Sequence, residues 1–222
     1  FQHPLRSSVP PSRRPRGPKP EKMEASVLLD AAQTVFAHHG VEGSSLRAIA
    51  RAAGCDPALI YYHFEHKEAM FQALLERKFS ALLPDLESAV AGPRPLKERL
   101  AETLRVFARH LKDDAGFRAL IRGQAVQGAE PIKTTLAAFL RRLQGLIWNL
   151  LEEGVASGEL RRDLPVPLAG FFLVRTYLEM LDLFPAMGPH FLPMPVPEAL
   201  ERGEQAWIDF FWRGASAPEE SR

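Results

Sequence analysis

Residues 44–67 read SSLRAIARAAGCDPALIYYHFEHK and are the part of this chain that is most informative about its fold. Ser44 or Ser45 can cap the N-terminus of a helix. The apolar positions that follow have the i, i+3, i+4, i+7 spacing of one helical face: Leu46, Ile49, Ala50 and Ala53. Gly54 comes directly after them, where a helix C-terminus favours a left-handed backbone conformation. The pattern predicts a short helix that ends in a sharp turn.

A second short helix is predicted from Pro57 to about Phe64. Asp56 can supply its N-cap oxygen, and Pro57 occupies the first helical position, where its missing N–H is not needed. A polar cluster follows near the end of this helix: Tyr61, Tyr62 and His63. Two short helices around a tight turn are typical of a helix-turn-helix that reads DNA. On these residues alone, a helical hairpin with surface tyrosines is the open alternative.

Residues 25–75 resemble the DNA-binding domain of the TetR family of bacterial repressors. The segment AAQTVFAHHGVEGSSLRAIARAAG is similar to the first two helices of that family, and LIYYHFEHKEAMFQALL is similar to its recognition helix and long fourth helix. The resemblance implies a transcriptional regulator that binds double-stranded DNA as a homodimer. It also implies a larger helical domain that holds a small-molecule effector, whose binding changes the spacing of the DNA-binding domains and releases DNA.

The resemblance also implies DNA-contacting positions. Ser44 and Ser45 match phosphate-contacting positions, and Arg47 matches a base-contacting position. The stretch that faces base edges is Asp56, Pro57, Ala58 and Leu59. The positions that contact the DNA backbone are Tyr61, Tyr62, His63 and Lys67, with packing against the first helix as the alternative for Tyr61 and His63. Because Pro57 and Ala58 offer apolar contacts only, we expect Arg47 to carry most of the hydrogen-bonded specificity.

Basic charge is concentrated at the start of the chain. Residues 1–22 contain six Arg and Lys and one Glu, a net charge of +5, so that the remainder carries −4 within the total of +1. This segment also contains six prolines, and we expect it to be a disordered basic arm in the absence of a partner. Such an arm can follow the minor groove of DNA. A solvated tail without a DNA contact is the open alternative.

The rest of the chain has helical periodicity and no alternating pattern of strands. The sequence therefore predicts an all-α fold of about nine helices without a sheet. Pro84 is expected to kink or end the helix that begins near Lys67, and the last two helices are expected at 168–184 and 198–213. The predicted domains are the arm at 1–22, a three-helix DNA-binding domain at 23–67, an effector-binding and dimerisation domain at 68–213, and a disordered tail at 214–222.

The last two predicted helices carry more aromatic side chains than two packed helices normally bury. A symmetric four-helix interface between two copies would cover them, as the resemblance implies. The predicted interface residues are Phe171, Tyr177, Leu181, Trp207, Phe210 and Phe211. A purely internal core is the alternative interpretation of these residues.

The effector is predicted to be hydrophobic, with one polar or acidic end. The residues expected to line its cavity are Phe107, His110, Phe117, Trp148 and Phe172. An anionic group on the effector could pair with Arg175, with Arg105 or with Arg109. Each of the aromatic side chains could instead belong to the ordinary core.

An enzyme is not predicted, because the sequence contains no nucleophile elbow, Gly-rich phosphate loop or Walker motif. We therefore expect no catalytic residues, no cofactor and no metal, and we interpret the acidic pairs at 113–114 and 152–153 as solvated surface. No membrane segment is expected, since residues 164–174 form an uncharged stretch of only 11 residues, against the roughly 20 that span a bilayer.

The single cysteine, Cys55, cannot form an internal disulfide, which fits a cytoplasmic regulator. The rival interpretation of the whole chain is a helical dimeric adaptor that binds proteins through a helix-turn-helix without DNA-binding function.

Overall fold

The structure is a computed structural model that describes residues 24–218. The predicted basic arm at 1–22 lies outside the described residues, as do Met23 and residues 219–222. The described range contains nine helices and no strand beyond one isolated bridged pair, so the predicted all-α class is confirmed. The helices are α1 (Ala25–His39), α2 (Leu46–Ala53), α3 (Pro57–His63), α4 (Lys67–Val90), α5 (Leu96–Leu111), α6 (Ala115–Gln127), α7 (Glu130–Ser157), α8 (Val166–Phe191) and α9 (Val196–Ala215).

Helices α1, α2 and α3 form a small unit that we call the head. Its core contains Leu28, Ile49 and Ile60, which have no exposed surface. Phe36 of α1 meets Phe71 of α4 edge to face, with ring centroids 6.1 Å apart, so the head also packs on the next helix. Helices α2 and α3 have only eight and seven residues, too few to be stable as isolated helices. Burial of the apolar side chains is therefore the main contribution that stabilises the head.

The turn between α2 and α3 has the geometry predicted from its sequence. Gly54 has φ 66° and ψ 30°, the left-handed conformation that a Cβ would strain. Its N–H and that of Cys55 bond to carbonyls in the last turn of α2, so the turn satisfies groups that the helix end leaves free. The helix-turn-helix is therefore formed by local chemistry.

Helices α4 to α9 form the larger unit, which we call the body. Helix α4 packs on α5 and α7, α7 packs on α8, and α9 packs on α8 and α5. Helix α6 contacts α7 of the body and α1 of the head. Head and body are therefore joined twice, through α1 with α4 and through α1 with α6.

Helix α4 continues past Pro84 to Val90, so of the two expected effects of this proline, a kink or the end of the helix, the end is wrong. Proline cannot donate the backbone hydrogen bond to the carbonyl of Ser80. The adjacent residues Leu82, Leu83 and Leu86 are all buried. Their packing outweighs the missing hydrogen bond, and local propensity alone does not reveal this.

Helix α8 also extends beyond its predicted end at Phe184 and contains Pro185. The carbonyl of Leu181, which Pro185 leaves without its helical donor, accepts a hydrogen bond from Nη2 of Arg118 at 3.2 Å. A side chain from α6 thus replaces the missing backbone N–H. Helix α9 is likewise longer than the predicted 198–213, since it covers Val196–Ala215.

The prediction of a disordered tail from residue 214 is wrong for the residues that the structure describes there. Helix α9 includes Gly214 and Ala215, and Ala215 is buried. The N–H of Arg161 bonds to the carbonyl of Ala215 at 2.9 Å, and that of Ala217 bonds to Glu159 at 3.0 Å. These pairings attach the end of the described chain to the α7–α8 connection.

Arg99 is a buried charge that joins α4, α5 and α7. Its Nε donates to the carbonyl of Val90, the last residue of α4, at 2.8 Å. Its two terminal nitrogens donate to the carboxylate of Glu153 at 2.5 and 2.8 Å. The hydrogen bonds with Arg99 hold the pKa of Glu153 below its usual range. Glu153 is exposed, as interpreted from the sequence, but its carboxylate is also bound to the buried Arg99.

Candidate functional site

The exposed face of α3 is a stripe of four residues. Asp56 caps this helix, since its carboxylate accepts the N–H of Ala58 at 2.8 Å. The stripe consists of Pro57, Ala58, Tyr61 and Tyr62, and Tyr62 is 82% exposed. Residues one turn apart share a helix face, so the two phenol hydroxyls lie beside the apolar first turn. The face therefore combines apolar contact surface with hydrogen-bonding groups.

Leu59 does not belong to that face, and its predicted orientation toward base edges is wrong. Its side chain is only 7% exposed and points into the head. The change of face follows from the 100° rotation between successive helical residues, which places Ala58 outward and Leu59 inward. The next predicted residue, His63, is exposed, and its ring lies edge to face against Tyr62 at 5.1 Å.

Helix α2 presents two exposed arginines, Arg47 and Arg51. They are four residues apart and therefore lie on the same side of the helix. Neither forms an ion pair with any residue in the range 24–218. Arg51 is not among the residues predicted from the sequence, although its i+4 spacing from Arg47 is a usable signal. The two guanidinium groups are available for phosphates or guanine edges.

Two of the predicted phosphate-contacting side chains are engaged inside the protein. The hydroxyl of Ser44 is buried and donates to the carbonyl of Gly40 at 2.6 Å. Lys67 donates from Nζ to the carbonyls of Glu42, at 2.6 Å, and Ser44, at 3.3 Å. Both residues stabilise the α1–α2 loop. The buried hydroxyl of Ser44 is not available for a phosphate, which corrects its predicted role, whereas the phosphate contact of Lys67 stays a prediction. Ser45 is exposed and caps α2 by accepting the N–H of Ala48 at 3.2 Å.

The protein contains a cavity of about 700 Å³ that is lined by helices α4 to α8 of the body and by Asp30 of α1. Five of the six predicted ligand residues line it: Phe107, His110, Phe117, Trp148 and Arg175. Phe172 is exposed and does not line the cavity. Its neighbour Phe171 lines the cavity, because adjacent helical residues occupy different faces. Arg105 and Arg109 pair with Glu102 outside the cavity, so of the three arginines considered only Arg175 is at the site.

One end of the cavity carries three arginines and two acids from α6 and α8. Nε of Arg118 lies 2.6 Å from Asp182, and Nη1 of Arg122 lies 2.9 Å from the other oxygen of the same carboxylate. Arg175 pairs with Glu179. Arg118 is buried, whereas Arg122 and Arg175 are partly exposed. Arg122 also lies 3.7 Å from Glu179, so the five groups carry one excess positive charge, and the partly exposed Arg122 and Arg175 keep further N–H donors for an anion.

The wall of the cavity is exposed next to those guanidinium groups, and also at Asp30 and Ala81. Its exposed lining residues include Val126 and Phe171. Val126 follows Arg122 by one turn of α6, and Phe171 precedes Arg175 by one turn of α8. An amphiphile could therefore place an apolar chain inside and a negative group at the opening.

A polar connection also joins the head to the body. The carboxylate of Glu42, in the α1–α2 loop, accepts the N–H of Ala129 at 2.6 Å. Burial acts to raise the pKa of Glu42, but the hydrogen bond from Ala129 and the charge of Lys67 contribute to holding it below its usual value. The loop beside α2 is thus attached to the α6–α7 connection.

The outer faces of α8 and α9 expose an unusual amount of apolar surface. The exposed side chains are Leu168, Phe172, Leu183, Met187, Phe191 and Phe210. Phe210 stacks on Trp207, with ring centroids 5.7 Å apart, and Phe211 is partly buried. Monomers rarely leave contiguous surfaces of this kind uncovered.

Two residues predicted for a subunit interface are instead internal. Tyr177 is 2% exposed and Leu181 is 4% exposed, so neither can contact a partner. The hydroxyl of Tyr177 donates to Glu204 of α9 at 3.1 Å, and burial, followed by the charge of Glu204, raises the pKa of Tyr177. These side chains hold α8 against α9 within one chain.

Neither a metal cluster nor a membrane span is found in the described range. Among residues 24–218, no three His, Cys, Asp or Glu side chains are grouped so that they could hold a metal ion. None of the helices described there is both long and apolar enough to cross a bilayer.

Comparisons with known proteins agree with this geometry. The sequence model of the family described as "Bacterial regulatory proteins, tetR family" matches residues 28–74. The chain is 31% identical over 148 residues to the HTH-type transcriptional repressor KstR2 of Rhodococcus jostii, covering 66% of this chain and 72% of the relative. It is 26% identical over 142 residues to the fatty acid metabolism regulator protein of Bacillus subtilis, covering 64% and 73%.

A solved structure extends the likeness to the body. The transcriptional regulator FadR from Bacillus subtilis, solved in complex with stearoyl-CoA, superposes with a TM-score of 0.70 at 21% identity. That match covers 86% of this chain and 99% of the other. The helix-turn-helix, the nine-helix arrangement of the described residues and these relatives give one conclusion: the chain belongs to the TetR family of bacterial transcriptional regulators.

Proposed function

We propose that this protein is a cytoplasmic repressor that binds a palindromic operator as a homodimer and leaves the DNA when an amphiphilic effector binds. The proposal rests on the connection between two sites of the chain, the exposed face of α3 and the cavity. The exposed face of α3 lies in the head, and the cavity lies between helices of the body, two of which, α4 and α6, contact α1 of the head. A change at the cavity can thereby alter head orientation.

The DNA contacts are divided between α2 and α3. Arg47 supplies the hydrogen bonds that select a guanine, with Arg51 beside it on the same side of the helix. Pro57 and Ala58 contact thymine methyl groups. The hydroxyls of Tyr61 and Tyr62 and the imidazole of His63 contact the phosphates that flank the groove.

The dimer is proposed to form through the exposed outer faces of α8 and α9. The exposed Phe172 joins the predicted Phe210 at the centre of this surface, whereas Tyr177 and Leu181 are internal. Two-fold symmetry places the same patch on both subunits. A dimer would present two heads to half-sites separated by about 34–36 Å, one turn of DNA.

The effector is proposed to carry a long apolar body and an anionic end. The apolar walls of the cavity and the arginines at its opening support this chemistry. The relative from Bacillus subtilis is named a fatty acid metabolism regulator, and its FadR structure contains stearoyl-CoA. Fatty acyl-CoA thioesters are therefore the first class of effector to test.

The proposal is tested with the full-length protein and a random pool of duplex DNA. Repeated selection is expected to enrich a palindrome whose half-sites are about 10 base pairs apart. Fluorescence anisotropy with the selected duplex should then show release by lauroyl-CoA but not by free CoA. Recovery of DNA without a common sequence would contradict operator binding and favour the adaptor interpretation. Unchanged anisotropy with lauroyl-CoA would contradict the effector class alone.

A further inference from the structure

One hydrogen-bond donor in the cavity wall has no partner among the described residues. Nε1 of Trp148 is buried without an acceptor, and Trp148 lines the cavity. The contrast is Trp207, whose indole N–H donates to the carbonyl of Leu173 at 2.9 Å. A buried donor without a partner destabilises the protein that carries it, so native structures leave few of them. An acceptor on a ligand would satisfy Nε1 of Trp148 once the indole turns toward the cavity, because Nε1 has almost no accessible surface where it lies against Gly170.

The surroundings of Trp148 explain why the protein supplies no acceptor. The indole lies against Gly170 of α8, where a Cβ would stand 2.9 Å from Cδ1 and 3.2 Å from Nε1 of Trp148. The backbone carbonyls of α8 beside Gly170 take part in the hydrogen bonds of the helix itself. Gln144, one turn earlier on α7, also lines the cavity without reaching Nε1. The absence of a side chain at residue 170 thus allows this close approach.

The residue against which Trp148 lies is near the arginines of the cavity wall. Gly170 and Arg175 are five residues apart on α8, which corresponds to about 7.5 Å along the helix axis. One ligand in the cavity can therefore lie against Trp148 and Arg175 together.

We propose that Nε1 of Trp148 donates a hydrogen bond to the carbonyl oxygen of an acyl group, so that the cavity selects acyl compounds over plain alkyl chains. This inference rests on the proposed function, because it assigns the chemistry of the same effector site. A fatty acyl thioester and a free fatty acid share the required carbonyl oxygen. The experiment therefore includes both sources.

Binding of three twelve-carbon probes to the full-length protein tests the inference. Lauroyl-CoA has the carbonyl oxygen, S-dodecyl-CoA replaces the carbonyl by a methylene, and laurate has the carboxylate without CoA. Isothermal titration should show that the wild-type protein binds lauroyl-CoA roughly tenfold more tightly than S-dodecyl-CoA. Trp148→Phe removes the donor and keeps an aromatic ring, so the ratio of the two affinities should fall to about one.

Trp212→Phe is the matched control, because Trp212 lies on α9 and does not line the cavity. This variant should keep the wild-type ratio. The ratio is informative even if Trp148→Phe destabilises the fold, since a general loss of stability weakens both CoA ligands alike. Binding of laurate alone, abolished in Trp148→Phe, would support the same hydrogen bond with a free fatty acid as its source.

A spectroscopic measurement reports on the donor itself. The chain has three tryptophans, so its ¹⁵N-indole spectrum is simple, and the Trp148 resonance is identified by its disappearance in Trp148→Phe. Lauroyl-CoA should move the Trp148 indole proton downfield, whereas S-dodecyl-CoA should not. Trp207, already bonded to Leu173, should not respond to either ligand.

Failure of the carbonyl hydrogen bond and failure of the proposed effector class give different results. Equal binding of lauroyl-CoA and S-dodecyl-CoA by the wild-type protein would overturn the carbonyl hydrogen bond and leave the acyl-CoA class of effector intact. Absence of binding by all three probes would overturn both the effector class and this inference. Operator selection remains a separate test of DNA binding.

Discussion

The ammonium group of Lys78 lies 2.5 Å from a carboxylate oxygen of Asp114, which joins α4 to the first turn of α6. The other oxygen accepts the N–H of Phe117, at 3.0 Å, and the side-chain amide of Gln33 in α1, at 2.7 Å. One carboxylate thus connects the head to two helices of the cavity wall, and Lys78 itself lines the cavity. Asp114, interpreted from sequence as solvated surface, is a junction between the two sites.

We expect Lys78→Met and Asp114→Asn each to lower operator affinity about two- to tenfold, since the head would be held less firmly. Asn can still cap α6 and accept from Gln33, so this variant removes mainly the charge pair. The double variant should be no weaker than either single variant, because both remove one interaction. Anisotropy with the selected operator measures the effect.

Lys112→Met is the control for Lys78→Met, because it removes the same charge from an exposed residue near the start of α6. It should bind the operator like the wild type. Additive decreases in the double variant would show that the two side chains act independently.

Arg47→Ala is expected to reduce sequence discrimination. Removal of a bidentate interaction with guanine costs about 1–3 kcal/mol, so the affinity for the selected operator should fall about five- to hundredfold, with a smaller decrease on scrambled DNA. Arg202→Ala, on α9, makes the same change of charge far from the head and should affect neither duplex. Equal weakening of both duplexes by Arg47→Ala would assign Arg47 to phosphate contact.

Phe210→Glu is expected to convert the dimer to a monomer, because a carboxylate would enter the proposed apolar interface of α8 and α9. Sedimentation equilibrium measures the mass. Val126→Glu is the matched control, since Val126 and Phe210 are both 71% exposed but Val126 lies on α6. A dimer that survives Phe210→Glu would place the interface elsewhere.

Glu153→Gln is expected to lower Tm at pH 7 by roughly 2–4 °C, as a decrease of about 1 kcal/mol in stability does in a chain of this size. The pKa of Glu153 is lower in the folded protein than its usual 4.5, chiefly through hydrogen bonding to Arg99. The ionised side chain therefore stabilises the fold above about pH 4.5, and this contribution is lost as pH falls through the lowered pKa.

The Tm difference between wild type and Glu153→Gln should accordingly shrink below about pH 4.5, which thermal denaturation across a pH series measures. Glu152→Gln changes the adjacent residue, which is exposed, and should show no such pH dependence. A difference that stays constant down to about pH 3 would contradict an ionic contribution from Glu153.

Deletion of residues 1–20 tests the predicted basic arm, which lies outside the described residues. If its lysines and arginines bind phosphates, the deletion should flatten the dependence of log affinity on log salt by about 0.9 for each phosphate that the arm neutralises. Anisotropy between about 50 and 200 mM salt, the range over which such slopes are measured, gives the comparison. An unchanged slope would show that the arm does not bind DNA.

The sequence predicted the helix-turn-helix well because its determinants are local. Ser45, Gly54 and Asp56 each act on backbone groups within a few residues, and the geometry at all three follows their intrinsic preferences. The apolar spacing of α2 likewise identifies its buried face. Five of the six residues predicted for the cavity do line it, since aromatic residues at helical spacing point to the interior of a helical body, but most of the other lining residues were not predicted.

The directions in which adjacent side chains point were less predictable. Leu59 beside Ala58, and Phe172 beside Phe171, differ by one 100° step of the helix, and an approximate helix phase cannot separate such neighbours. Tyr177 and Leu181 could have faced a partner or another helix of the same chain. The packing of α9 on α8 makes them internal.

Local sequence patterns thus specify the helices, the turn that makes the head and the family to which the chain belongs. Only the packed structure reveals that Arg118 replaces the hydrogen bond missing at Pro185, that Asp114 joins head and body, and that Trp148 has no partner among the described residues. These features depend on residues from distant segments meeting in space, and helical periodicity carries no information about which segments meet.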